Sequence, residues 1–558
     1  MSQATTLDNS HPKGLWVLFG TEMWERFNFY GMRALLSLFL VNALTMKESD
    51  ASIIYGGFLG LCYLTPLIGG YISDNYLGNR ICIMLGGLIM AIGQGFLFWS
   101  ASVFDGNLPF ATTLTWIALG LIIIGNGFFK PNISSMVGSL YPKERKSMLD
   151  SAFTIFYMGI NLGAILGQFI CPLLGDVKIG DVRVLTAFKW GYLAACIAML
   201  LGVVIFYLFK DRYIVTPEGQ SIGGKPKQTD EVQNEDGEAT RAIFGTNSIL
   251  LTAGAFVVLV SLFHFLLGQN IIYSFIYASG LALAGLILTD QSLTKVERDR
   301  ILVIYIVSFF VIFFWAAFEQ AGSSLTFIAD YQTDRNFLGW DMPPSMVQIF
   351  NGLFVVAFAV PFSYMWLWLQ KKGKEPISPV KQAIGLALIA LGYLVIANKV
   401  GGLGTSGKIG IIWLIVMYLL HTWGELCLSP IGLSLVSKLS PKRFSSLLFG
   451  VWFISNACAY AFAGTLGALL PPTGDKYLEA EKIGVNLGEY LSGAVTLTPE
   501  QAQAFAEAQL PTAYPVFAGF TITSLYEFFM IFVLLCGVAA LVLLSLTPLL
   551  KRMMHGIR

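Results

Sequence analysis

Charge is what this chain has least of. Asp, Glu, Lys and Arg make up only 12% of its 558 residues, about half the share usual in soluble domains. Beside a hydrophobic share of 55%, that scarcity excludes a soluble globular protein and points to a polytopic membrane protein. A formal net charge of +1 gives no sign of nucleic-acid binding. The seven cysteines (Cys62, Cys82, Cys171, Cys196, Cys427, Cys458 and Cys536) fall in or beside apolar segments, with no CxxC or metal-ligand spacing. They read as buried free thiols, and neither a disulfide scaffold nor a metal centre is expected. HExxH is missing, as is a nucleophile with a base within the apolar segments, so the chain does not read as an enzyme. The opening "MSQATTLDNSHPK" lacks the apolar core of a signal peptide. The first hydrophobic segment is therefore expected to remain as a helix.

Apolar runs of the length a bilayer requires, about 20 residues, are plentiful. Six fall near 15–44, 51–73, 80–101, 111–139, 148–173 and 188–209. A polar stretch from Lys210 to about Thr246 shows no periodicity and reads as an exposed linker. Two runs near 247–267 and 270–290 form a hairpin, and six more lie near 299–320, 346–369, 378–397, 410–436, 444–470 and 524–548. The expected fold is all-α, with about fourteen spanning helices. An N-terminal six-helix bundle occupies 1–209, a linker and two-helix insertion 210–298, and a C-terminal six-helix bundle 299–558, with an external loop over about 471–521. With the N-terminus in the cytoplasm, roughly two thirds of the 35 basic residues fall on cytoplasmic loops. "YPKERKS", "KVERDR", "QKKGK", "SPKRF" and the tail "KRMMHGIR" are among them. Both termini are thus expected inside.

The few charges are placed oddly. "TEMWERFNFYGMRALL" (21–36) carries Glu22, Glu25, Arg26 and Arg33 within the first apolar run. At 100° per residue, Glu22, Arg26, Tyr30 and Arg33 share an arc of about 80°, with Glu25 about 60° to one side. The stripe extends ~16 Å along the axis. Glu22 and Arg26 are four apart and can pair, but such a pair alone leaves Arg33 and Glu25 unaccounted for. In "GNGFFKPN", Lys130 sits well inside its run, beside Pro131. "FYMGINLGAILG" brings Gly159, Gly163 and Gly167 at helical spacing, suited to close packing, together with Tyr157 and Asn161. The second half contributes Glu319 in "FFWAAFEQAGSS" and Glu425 in "YLLHTWGELCLSPIG", the latter with His421 and Ser429 four residues to either side. His421 reads as a packing histidine rather than a proton carrier.

Exposed to lipid, these charges would cost on the order of 20 kcal/mol, at about 3 kcal/mol each. They are therefore expected to share a hydrated cavity with one cationic and one acidic wall. Such a cavity suits a zwitterion, with Tyr63, Trp315, Trp452, Ser429 and Asn351 between the walls.

The loop "GYISDNYLGNR", with Gly70, Asp74, Gly78 and Arg80, resembles the loop motif of the major facilitator superfamily. Glu22, Glu25, Arg26, Phe27, Tyr30 and Gly31 match an E-x-x-E-R-F-x-x-Y-G pattern. With "GFFKPN" and "GELCLSPIG", it resembles the proton-dependent oligopeptide transporter (POT/PTR) family of that superfamily, bacterial type. The resemblance implies symport of di- and tripeptides with protons, with no cofactor beyond the coupling ion; the compact N-terminus and lack of targeting signals fit a bacterial inner membrane. The resemblance also implies that Arg26, Arg33 and Lys130 hold the peptide carboxylate, and that Asn161, Glu425 and Asn351 surround the amino end. Tyr30, Tyr63, Tyr157, Trp315, Ser429 and Trp452 would line the pocket. Arg33 with Glu319 and Lys130 with Glu425 would be gating pairs, and Glu22 and Glu25, supported by Glu319, the proton carriers.

Two departures stand out. Where animal members carry a second-helix His implicated in proton handling, this chain has Gly56, and the 471–521 segment is long for bacterial members. That segment reads as a structural cap, with Thr498 and Pro499 opening a helix in "LTPEQAQAFAEAQ". An anion symporter on the same fold is the nearest rival reading, and a non-transporting peptide sensor a more distant one. Side-chain preference, proton stoichiometry and oligomeric state are not legible.

Overall fold

A computed structural model describes residues 10–141, 148–180, 182–216, 219–225, 244–405 and 407–557. Much of the polar linker, most of "YPKERKS" and the last residue of the tail lie outside the described residues.

The chain is a succession of long helices, because lipid leaves the backbone no partner except itself. The first six are α1 (Lys13–Asn42), α2 (Glu48–Ile72), α3 (Asn79–Val103), α4 (Leu108–Ser139), α5 (Leu149–Gly175) and α6 (Phe188–Tyr213). Between α5 and α6 a two-stranded hairpin pairs β1 (Lys178–Ile179) with β2 (Val182–Arg183). A helical hairpin, α7 (Thr246–Ser261) and α8 (Ile271–Leu288), precedes α9 (Lys295–Phe318), which leads through a tight turn at Glu319–Gly322 into short α10 (Ser324–Tyr331). Then come α11 (Ile349–Lys371), α12 (Ser378–Val400), α13 (Ile411–Leu439) and α14 (Ser445–Gly467). Three short helices, α15 (Gly474–Lys482), α16 (Leu487–Leu491) and α17 (Pro499–Glu507), separate α14 from α18 (Leu525–Met553). Among the described residues, 13 helices have the length and apolarity to cross a membrane. Beside them stands α1, 30 residues long and carrying the charged stripe.

Local chemistry sets several starts. Reciprocal side-chain and backbone bonds open α9 (Thr294 with Glu297), α17 (Thr498 with Gln501) and α18 (Ser524 with Glu527). Each satisfies backbone N–H groups that a helix start leaves bare. No residue of α7 is buried, and its exposed Leu250, Val257 and Val258 suit lipid.

By their contacts the residues fall into two compact units. One comprises Met1–Met32, Thr65–Gly175 and Thr186–Thr229; the other comprises Arg33–Leu64, Asp176–Leu185 and Asp230–Arg558. In the first, the spaced glycines of α5 receive α1. A methyl group on Gly163 would lie 2.1 Å from the Met23 carbonyl oxygen, and one on Gly167 2.3 Å from that of Phe27. The loop after α2 is locked by Arg80, which is buried. Its guanidinium donates to the carbonyls of Ile222, Lys210 and Ile214 and pairs with Asp211. Gly78 is required there twice over, by a φ of +80° and by the Gly224 carbonyl oxygen 2.2 Å from where a methyl would stand.

In the second unit, α2 crosses α14 where Gly56 meets Gly464; a methyl on Gly56 would lie 2.6 Å from the Tyr460 carbonyl oxygen and 2.7 Å from the Gly464 Cα. A histidine has no room at that position. The β1–β2 hairpin is held by buried charges. Arg183 pairs with Asp176 (2.9 Å) and Asp330 (2.8 Å), Lys178 pairs with Asp330, and Asp176 accepts from the Ser345 backbone N–H and hydroxyl. Helices α15–α17 have a small core of their own, formed by Ala480, Val485, Leu487, Phe505 and Leu510. Lys476 of α15 reaches Glu48 at the start of α2, 3.1 Å away.

Candidate functional site

The expected site residues divide between the two units. In the first, Arg26 is the hub. Its Nε pairs with Glu25 and, at 3.3 Å, with Glu22, and all three side chains are at most 3% exposed. The guanidinium also stands over the rings of Phe29 (5.3 Å) and Tyr30 (5.9 Å). The expected Glu22–Arg26 pair is therefore present, but Glu25 is also a partner. Helical angles place Glu25 to one side, and the guanidinium bends back across that angle. The cluster is incompletely satisfied: Glu22 Oε2, Glu25 Oε1 and Arg26 Nη2 are buried without a hydrogen-bond partner among the described residues. Buried polar atoms of this kind are costly to leave unmatched.

Lys130 of α4 lies within electrostatic reach of Arg26, Tyr30, Glu25 and Glu22. The helix runs unbroken past Pro131. Tyr157 is exposed, and Asn161 donates its Nδ2 to the Tyr157 carbonyl at 2.9 Å, one turn back on α5.

In the second unit, Arg33 meets Glu319. Its Nη1 lies 3.1 Å from Oε2 and 3.3 Å from Oε1, and the two side chains are 9% and 5% exposed. Glu319 is thus not solvated at a helix end; it closes a contact spanning 286 residues of sequence. Ser37 strengthens the same contact by donating to the Gly322 carbonyl. Lys130 and Glu425 belong to different units.

Glu425, in the middle of α13, accepts from Asn351 Nδ2 of α11 at 2.9 Å. The same nitrogen is 3.0 Å from Thr422 Oγ1. An aromatic wall stands in this unit as well. Tyr63 packs edge-on against Tyr460 (4.6 Å between ring centres), and Tyr460 lies 6.4 Å from Trp315. Trp452 is buried with its ring against Gly432, where a methyl would come within 2.2 Å of it. Ser429 is half-buried. His421 is buried among Tyr393 (4.7 Å), Phe318 and Tyr418, as a packing histidine should be.

Sequence reasoning missed Thr422, Tyr460 and the charges that hold the hairpin, Asp176, Lys178, Arg183 and, from α10, Asp330. Thr422 carried a usable signal, since it lies three residues before Glu425 and so shares its side of the helix. Tyr460 carried none, being one aromatic among many in an apolar run. Among the described residues no cluster of His, Cys, Asp and Glu could hold a metal ion.

Comparison with known proteins identifies the family. The sequence profile described as "POT family" matches residues 80–474. The chain is 34% identical to a peptide transporter of Yersinia enterocolitica over 472 residues, covering 82% of this chain and 88% of that one. It is 32% identical to a di-/tripeptide transporter of Lactococcus lactis, covering 81% and 88%. Its fold matches the crystal structure of a POT family transporter in complex with a thioalcohol-conjugated peptide, with a TM-score of 0.71, 28% identity and 97% of each chain covered. Buried ionic clusters on long apolar helices, a sequence profile over most of the chain and full-length relatives converge: this multi-pass membrane protein belongs to the POT family.

Proposed function

We propose that the protein is a proton-coupled symporter that imports di- and tripeptides by alternating access. The observation that carries this reading is the polarity of the two clusters. Arg26 and Lys130 supply the cationic donors that a peptide carboxylate needs. Glu425 with Asn351 supplies acceptors for an ammonium. A small anion has no use for that acidic group, which disfavours the anion-symporter reading. The relatives named as peptide transporters support the same substrate class.

Proton coupling is assigned to Glu22 and Glu25, whose buried, partnerless oxygens can each take a proton, with Glu319 in support through its Arg33 pair. Taking up a proton loosens a carboxylate's hold on its guanidinium, and differential binding of that kind moves a two-state equilibrium. No cofactor other than the proton is invoked. The basic-residue bias favours both termini in the cytoplasm, and the bacterial relatives favour an inner-membrane location.

The test is uptake of labelled dialanine into liposomes carrying the purified protein under an inward proton gradient. Accumulation should require the gradient and disappear in Glu22→Gln and Lys130→Ala. Gradient-independent equilibration would refute coupling, and no uptake or competition by any peptide would refute the substrate class.

A further inference from the structure

We propose that Thr422 is a positioning residue which fixes the Asn351 amide so that only acceptors face a substrate's ammonium group; the proposal rests on the peptide reading above. A threonine hydroxyl has one hydrogen to give and two lone pairs. Thr422 gives its hydrogen to the Tyr418 carbonyl one turn back, at 2.7 Å. With that hydrogen committed, Oγ1 can only accept, and it accepts from Asn351 Nδ2 at 3.0 Å. The second hydrogen of the same NH₂ group goes to Glu425 Oε2 at 2.9 Å.

Both partners of the amide nitrogen are therefore acceptors. Flipping the amide would set its oxygen against two oxygens, losing two hydrogen bonds and adding repulsion. The orientation is thus dictated by chemistry: Nδ2 faces Thr422 and Glu425, and the carbonyl oxygen Oδ1 points elsewhere. Thr422 is fully buried, whereas Asn351 and Glu425 are only partly covered. The buried hydroxyl sets the posture of the two groups within reach of a ligand.

The consequence is selectivity for a free amino terminus. An ammonium has three donors and no acceptor, so it matches two acceptors, the Glu425 carboxylate and the Asn351 carbonyl oxygen. An N-acylated peptide offers a single amide N–H and no charge. Without the Thr422 hydroxyl the amide keeps only its Glu425 anchor, so turning costs one hydrogen bond instead of two, and a turned NH₂ would meet the ammonium donor to donor.

The experiment is competition in proteoliposomes, comparing dialanine with N-acetyl-dialanine as inhibitors of labelled peptide uptake. Thr422→Val should weaken dialanine about ten-fold, the scale of one hydrogen bond, and leave the acetylated ligand within about two-fold. Thr422→Ser should restore the wild-type ratio. In an Asn351→Ala background, Thr422→Val should change nothing further, because its effect acts through that amide. Should the valine not fold, Thr422→Ala removes the hydroxyl without adding bulk and carries the same expectation. Equal weakening of both ligands, an unchanged dialanine affinity, or additivity with Asn351→Ala would each overturn the proposal. A folded wild-type protein that binds neither ligand would sink the peptide reading itself, and this proposal with it.

Discussion

Replacing Glu319 by glutamine keeps the shape of the side chain and deletes its charge, leaving Arg33 buried with its main counter-ion gone. The structure gives the size of the effect. At a separation near 4 Å and an effective dielectric constant of about 20, a unit pair is worth roughly 4 kcal/mol. Breaking a buried pair by removing one partner typically costs about 3–5 kcal/mol. Two features set where Glu319→Gln falls in that range. The pair is almost wholly shielded, with Arg33 Nη1 reaching both carboxylate oxygens, which favours a large loss. Against that, Glu425 also feels the Arg33 charge and offsets part of it. The expected destabilisation is therefore about 3 kcal/mol, read as a shift in urea-induced unfolding of the protein in mixed micelles. Arg33→Gln combined with Glu319→Gln removes both charges and should be less damaging than Glu319→Gln alone, since no uncompensated ion remains. A Glu319→Gln protein within about 1 kcal/mol of wild type, the range of exposed pairs, would refute the claim that this contact is shielded.

Two other perturbations follow from the packing and the loops. Gly56→Ala should cost about 1–3 kcal/mol by forcing α2 off α14, whereas Gly120→Ala, with nothing within 4 Å of the new methyl, should stabilise by up to about 1 kcal/mol; equal effects in the same unfolding assay would refute the helix crossing. Burial pushes the Asp475 carboxyl up to about 6, against the pull of Lys476 and the Thr473 hydroxyl. An acid with a raised folded-state value favours folding while protonated, so this stabilisation is full below about pH 4 and is lost as pH rises through 6. Its total is about 3 kcal/mol, and Asp475→Asn should differ from wild type by a stability slope of that sign between pH 4 and 7; parallel curves would exclude it.

The membrane class, the number of long helices and the residues worth watching were legible in one dimension, because each depends on local facts. Apolar length decides whether a segment can span, helical angles decide which charges share a face, and a charge inside an apolar run must find a partner wherever the chain goes. Glu22 with Arg26 could be paired on that basis, as could the packing role of Gly163 and Gly167. What the sequence left open was who meets whom across long separations. The Arg33–Glu319 contact required its resemblance to a family before it could be named, since no spacing rule links residues 286 apart. The Asp176–Arg183–Asp330 network joins the short hairpin after α5 to α10, and its charges look solvated until the fold buries them. Gly56 read only as a missing histidine, and the Gly464 backbone beside it supplies the physical reason. Composition and periodicity determined what must be buried; only the tertiary structure decided against what, because burial is a property of one residue and a contact is a property of two.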